Sequence, residues 1–230
     1  MILATLLKNP AVSIAMTLMA YALSVRLHRR WLWFPPIVGA CGGVILLMYL
    51  FRESYAEYNR GGNVLTWLLG PATVGLAVPM YRNGMRLRRS LPRLVVVVLA
   101  GAVVGMVTAG GMAWLLGAPR EVVLSAVPKS VTNPIAIEVC RYLGGIPQIT
   151  IAMVILTGVL GASFGLPLLK LARVRDSRAI GAAIGTSSHG VGTASLVRHS
   201  ELQAAVSSWA MAAAGVFTSL LATLLRLILR

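Results

Sequence analysis

The chain has 230 residues, of which 57% are apolar and 12% are charged, and its mean hydropathy is +0.81. A soluble domain usually carries about 25% charged residues, so this composition excludes a soluble protein and predicts an all-α polytopic membrane protein. The formal charge of +15 does not indicate nucleic-acid binding, because basic and aromatic residues do not alternate along a polar face.

Apolar runs predict about six full transmembrane helices plus two broken, re-entrant helical hairpins in a single integral membrane domain. The predicted full spans are residues 10–25, 32–51, 63–81, 94–117, 147–169 and 202–225. Gly70-Pro71 and Pro79 interrupt the third span, because proline removes a backbone donor. Residues 52–62 are predicted to be a polar loop.

Basic connectors predict the orientation of the spans. Residues 26–30, 82–93 and 170–178 hold three, five and four Arg or Lys residues, so we expect them on the cytoplasmic face of the membrane. Residues 52–62 and 117–121 are nearly balanced in charge and are expected outside. The segment that follows the fourth span therefore begins outside.

Polar residues from Pro128 to Pro134 interrupt an apolar segment. The pattern predicts two short helices, 121–127 and 135–143, with Asn133 as the N-cap of the second and Pro134 in its first turn. Each is far shorter than the ~20 residues that cross a bilayer, and irregular backbone at membrane depth must be enclosed by protein or water. Residues 119–146 are therefore predicted to form a re-entrant hairpin.

A second polar stretch, Gly185 to Gly190, follows the fifth span as the first follows the fourth. This order predicts an inverted repeat, as in many secondary transporters. An alternative stays open in which residues 178–200 cross the membrane as one broken span, although segment length favours a hairpin. The predicted parts of the 1–230 domain are N-terminal spans (1–92), two repeat units (93–146 and 147–200) and a final span (201–230).

The two breaks together predict a binding site for a small carboxylate. A helix N-terminus offers unpaired N–H groups and about half a positive charge. Lys129 would neutralise the carboxylate, and His189 would couple transport to a proton. The candidate substrate-binding residues are Lys129, Ser130, Thr132, Asn133, Thr186, Ser187, Ser188, His189, Gly190 and Thr193.

Structural interpretations of these residues also stay open. Lys129 follows a half-helix, where a cation is favoured, and Glu138 could be its buried ion-pair partner. His189 could make a capping or core hydrogen bond, and the hydroxyl groups could satisfy interrupted backbone. No enzyme is predicted, because adjacent Ser187, Ser188 and His189 rarely align as nucleophile and base.

No metal and no other cofactor is predicted. Cys41 and Cys140 lie in apolar surroundings and have no Cys or His at ligand spacing, which also argues against a disulfide.

Five segments of the chain carry distinctive motifs. They are LLGPATVGLAVPMY (68–81), PKSVTNPIAIE (128–138), LGGIPQIT (143–150), ILTGVLGASFG (155–165) and GTSSHGVGTA (185–194). As a set they closely resemble the LrgB/CidB family, whose two polar stretches follow the patterns SVT(T/N)PIA and GT(A/S)SHG(I/V)GTA. The first two spans carry little of the resemblance.

The resemblance implies two possible functions. Bacterial members are named antiholin-like proteins and are linked to control of murein hydrolase activity and cell lysis, beside a small LrgA/CidA-type membrane partner. The plant relative is a plastid glycolate/glycerate translocator, and some bacterial pairs are similar to pyruvate carriers. Two costly broken helices favour a carrier of small monocarboxylates that works by alternating access with an LrgA-like partner in the lipid bilayer. Glycine-rich faces suggest a homo-oligomer.

Overall fold

The computed structural model describes residues 9–31, 36–68, 71, 74–75, 77–88 and 90–228. These residues form helices and turns, without a strand among them. The chain divides into two compact units, unit 1 (residues 1–74) and unit 2 (residues 75–230). The predicted single membrane domain stays a prediction.

In its described residues, unit 1 contains three helices, α1 (Pro10–Arg30), α2 (Pro36–Phe51) and α3 (Tyr55–Trp67). The prediction of a polar loop over residues 52–62 was wrong, because α3 already begins at Tyr55. Ser54 and Glu57 explain this start, since each side chain bonds the backbone N–H of the other in a capping box. This local cap outweighs the polar composition of the segment.

Unit 2 contains eight helices in its described residues. They are α4 (Ala77–Arg82), α5 (Gly84–Arg88), α6 (Leu91–Leu115), α7 (Arg120–Ala126), α8 (Asn133–Leu143), α9 (Pro147–Leu171), α10 (Ser177–Leu196) and α11 (Glu201–Ile228).

Four helices of the described chain, α1, α6, α9 and α11, are long and apolar enough to cross a membrane. The second predicted span corresponds to the shorter apolar helix α2 of 16 residues, and residues 32–35 lie outside the described chain. The third predicted span is not one helix, because α3 ends at Trp67 and a separate helix begins at Ala77. Gly70-Pro71 lies between them, although Gly70 is outside the described residues.

The long helices of unit 2 have defined relative directions. Helices α6 and α11 run the same way, because Leu94 packs against Val206 near their starts and Met106 packs against Ala222 near their ends. Helix α9 runs the opposite way, since Leu169 near its end packs with Ala204 near the start of α11. The basic connectors before α6 and after α9 therefore lie at one end of unit 2, which we call the basic end.

Glu53, in the turn between α2 and α3, is 9% exposed, and its carboxylate has no hydrogen-bond partner in the described chain. The Ser13 hydroxyl is near it, but outside hydrogen-bond geometry. Burial raises the pKa of the Glu53 carboxyl above its usual range, the charge of Glu57 adds to the rise, and Ser13 partly offsets it. The folded chain thus holds this proton more tightly than the unfolded chain does.

The first prediction concerns the pH dependence of stability. Because the pKa of Glu53 is raised on folding, its contribution is fully present below the ordinary glutamate pKa and is lost as pH rises through the raised value. This loss lowers the melting temperature of the detergent-purified protein as pH rises between about pH 4 and 8. We expect Glu53→Gln to remove this fall in melting temperature. Glu138→Gln is the control, since Glu138 is exposed and pairs with exposed Arg141. An unchanged pH slope in Glu53→Gln would contradict the assignment.

Candidate functional site

The first helix break lies between α7 and α8, where the sequence predicts it. Weak turn bonds hold the segment, from Lys129 N–H to the Ala126 carbonyl at 3.2 Å and from Val131 N–H to the Pro128 carbonyl at 3.3 Å. The N-cap of α8 is Thr132, which makes no side-chain cap bond. Asn133, the predicted N-cap, is instead the first helical residue, so the cap lies one residue earlier than predicted.

The second helix break lies within α10 at His189. Its backbone dihedrals, φ 40° and ψ −139°, fall where residues other than glycine are rarely found. The chain folds back there, because a methyl group placed on Gly192 would lie 3.0 Å from Ile184 Cγ2. In a continuous helix, two residues eight positions apart are separated by about 12 Å.

Both breaks reach the same face of α6 near its middle. A methyl group placed on Gly101 would lie 2.9 Å from Thr186 Cγ2, and one placed on Gly105 would lie 3.5 Å from Ser130 Oγ. Gly101 and Gly105 are one helical turn apart, so they share a face. The polar residues of the first break and of the second therefore meet at one level of unit 2.

Helix α9 contacts both breaks as well. Val154 packs against Val131 of the first break in a buried apolar cluster. The Val154 carbonyl also lies 3.0 Å from Nε2 of His189 in the second break.

Several candidate residues of the second break are satisfied within the protein. Ser187 is exposed, and its hydroxyl donates to the Ala183 carbonyl at 2.8 Å and lies 3.0 Å from Ser188 Oγ. Thr193 is buried, and its hydroxyl donates to the His189 carbonyl at 2.7 Å. Both hydroxyl groups thus donate to the carbonyl four residues earlier in the chain, and neither is left without a partner.

Other candidate residues keep polar atoms available. Thr186 Oγ1 and Asn133 Oδ1 are buried and have no hydrogen-bond partner in the described chain. Gly190, Thr132 and Ser130 are half-buried. An unpartnered buried polar atom costs free energy unless a water or ligand bonds it. Among the candidate residues, Thr186 and Asn133 are therefore the ones whose buried polar atoms still lack a partner in the described chain.

Lys129 carries an uncompensated charge at the first break. It is half-buried, its Nζ donates to Ser130 Oγ at 3.3 Å, and no carboxylate of the described residues pairs with it. Glu138, the expected buried partner, is exposed and pairs with Arg141 at 2.8 Å. The described residues also contain no group of three or more His, Cys, Asp or Glu that could hold a metal ion.

Sequence reasoning missed the residues that anchor the first break. Ser125 Oγ accepts the Ile146 N–H at 2.7 Å, and Thr150 donates to the Ser125 carbonyl at 2.9 Å, which ties α7 to the start of α9. It also missed Ser207 of α11, whose hydroxyl lies 2.8 Å from that of Thr193. The available signal was the presence of serines, Ser125 and Ser207, beside alanine and valine in these helices.

The second prediction concerns the Ser125 anchor. Ser125→Ala removes the acceptor of a partly buried N–H, so we expect the free energy of unfolding to fall by about 1–3 kcal/mol. Ser219→Ala is the matched control, because the Ser219 hydroxyl bonds the Gly215 carbonyl of its own helix. Denaturant unfolding of the purified protein in micelles measures both. Equal losses in the two variants would rule out the anchoring role.

These features define the protein as a helical membrane protein in which two helix breaks face each other between long apolar helices. A family model described as the LrgB-like family matches residues 17–228, and the chain belongs to that family. The motif resemblance is thus confirmed. The family is not a known enzyme family.

Three relatives illustrate the similarity. The uncharacterized protein YxaC of Bacillus subtilis (strain 168) is 33% identical over 211 residues, which are 90% of each chain. An uncharacterized protein of Haemophilus influenzae (strain ATCC 51907 / DSM 11121 / KW20 / Rd) is 32% identical over 209 residues, again 90% of each chain. Antiholin-like protein LrgB of Bacillus mycoides (strain KBAB4) is 30% identical over 214 residues, covering 91% of this chain and 93% of that protein. No solved structure matches the chain.

Proposed function

We propose that the protein is a secondary carrier of small monocarboxylates of the pyruvate or glycolate type. The observation that carries the proposal is the convergence of both helix breaks on Gly101 and Gly105 of α6, beside the uncompensated charge of Lys129. A single cation matches a single carboxylate. A second carboxylate on the solute would lack a partner there, because burying an unpaired charge is costly.

The hydrogen-bonding groups at the breaks suit the same solute. Thr186 offers a hydroxyl and Asn133 an amide, and the N-terminus of the 11-residue helix α8 adds unpaired N–H groups. Oxygen atoms beside the carboxylate would bond these neutral groups. Ser130 and Thr132, both half-buried, complete the polar surface of the first break.

The carrier operates by alternating access around two hairpins that enter from opposite ends of unit 2. Two contacts support the first hairpin. Val127 packs against Gly110 of α6, and Ser125 accepts a hydrogen bond from the Ile146 N–H at the base of the hairpin. Support for the second is that Leu196 after the break packs with Ile180 before it, at the basic end. Such opposed hairpins constitute an inverted repeat.

The carrier works in the bacterial plasma membrane with an LrgA/CidA-type membrane protein as its partner. The partner is proposed from the resemblance of the motifs, and the membrane from the apolar helices and basic connectors. Homo-oligomerisation through glycine-rich faces stays a prediction.

The third prediction concerns uptake of labelled pyruvate or glycolate into proteoliposomes that also contain the partner. We expect Lys129→Met and Thr186→Val to raise the half-saturating concentration roughly 10- to 100-fold, since each removes a hydrogen bond to an anion. Thr108→Val is the matched control for Thr186, because the Thr108 hydroxyl bonds the Val104 carbonyl of its own helix. Absence of saturable uptake by the wild-type pair would refute the carrier.

An antiholin-like regulator of murein hydrolase activity and lysis is the second candidate, favoured by the name of the Bacillus mycoides relative. Lysis timing in cells that express the protein with its partner separates the two. If the protein is a carrier, the Lys129→Met variant loses both uptake and its effect on lysis timing. A regulator that needs no substrate keeps the effect when uptake is lost.

A further inference from the structure

We infer that His189 is a positioning residue that fixes the second helix break onto α9, and that it does not carry the coupled proton. The inference rests on the proposed carrier function for its transport assay, but its structural assay is independent of that function.

The His189 side chain lies against α9 at Gly158, where Val191 of the same break also packs. The residue is 5% exposed, and Nε2 lies 3.0 Å from the Val154 carbonyl. A carbonyl only accepts, so Nε2 carries the hydrogen. Gly158 allows the ring to pack closely on α9, because a methyl group at this position would lie 2.7 Å from Cε1 of the ring.

The backbone at His189 is held from the other side by α11. Its carbonyl accepts the Thr193 hydroxyl at 2.7 Å, and that hydroxyl lies 2.8 Å from Ser207 Oγ of α11. A non-glycine residue at φ 40° and ψ −139° is strained, and such a conformation persists only where the surroundings impose it. The ring bond to α9 and the carbonyl bond to Thr193 supply that constraint.

The charges around His189 also argue for a neutral ring. Helix α9 has no ionisable side chain between Val154 and Gly161, α6 has none between Leu94 and Leu115, and α11 has none after Glu201 until Arg226. None of these packed stretches therefore offers a carboxylate to a positively charged imidazole ring. A charge on the buried His189 ring would lack a partner from them, and an unpaired buried charge is costly.

The experiment compares four variants of the full-length protein by thermal unfolding in detergent and by pyruvate uptake over a pH series. His189→Gln keeps an N–H donor of similar reach but cannot titrate, whereas His189→Leu removes the donor. Gly158→Ala places a methyl group against the His189 ring and leaves every titratable group in the sequence. Gly111→Ala is its control, since nothing lies within 4 Å of a methyl group at Gly111.

We expect His189→Gln to melt near the wild-type temperature and to retain uptake with the wild-type pH profile. His189→Leu and Gly158→Ala should melt several degrees lower and lose uptake roughly 10- to 100-fold, while Gly111→Ala resembles the wild type. A His189→Gln protein that is stable but has lost uptake or its pH dependence would overturn the inference, and so would a Gly158→Ala protein as stable as Gly111→Ala. If the wild type transports neither solute, the carrier proposal fails, but the melting temperatures still decide the positioning role.

Discussion

The structure of unit 2 depends on satisfying backbone groups that two helix breaks leave unpaired inside an apolar protein. Lipid cannot hydrogen-bond them, and each unpaired group costs several kcal/mol there. The protein meets this constraint by enclosing both breaks between α6, α9 and α11. Gly101 and Gly158 have no side chain to keep the breaks away, so the breaks come close enough to form hydrogen bonds and dense packing.

The two breaks satisfy this constraint differently, and the difference assigns them different roles. The second is bonded on both sides, through His189 to α9 and through Thr193 to α11. The first is anchored at its base by Ser125, but its tip has only long turn bonds and the bond from Lys129 to Ser130. At the first break, the N-terminus of α8 and the Lys129 cation are thus left for the proposed solute to bind. The second break is held more rigidly by its bonds to α9 and α11.

Sequence patterns predict the features that neighbouring residues determine, such as the start of a helix. They do not predict the features that contacts between distant residues determine. Pro134 and the polar residues before it signal the first break unambiguously, because proline and Asn or Thr act within one turn. The second break falls at His189, within the predicted stretch Gly185 to Gly190. Its exact position depends on a tertiary contact, because a bond to a residue 35 positions away compensates the strain there. One interpretation of the sequence paired Glu138 with Lys129. Glu138 instead pairs with Arg141, one turn along the same helix, because a helical neighbour is reached at lower entropic cost.

The shared wall on α6 gives a physical reason why one solute could couple both hairpins. Thr186 and Ser130 contact α6 one turn apart, so a small anion between them would touch both breaks at once. Its binding free energy then depends on the position of each hairpin, and a ligand shifts a conformational equilibrium only by its difference in affinity for the two states. If the hairpins enter from opposite ends, separating either tip from α6 opens a path to that end alone. In the proposed carrier, occupancy by the anion would favour both tips in place and would therefore disfavour a continuous pore.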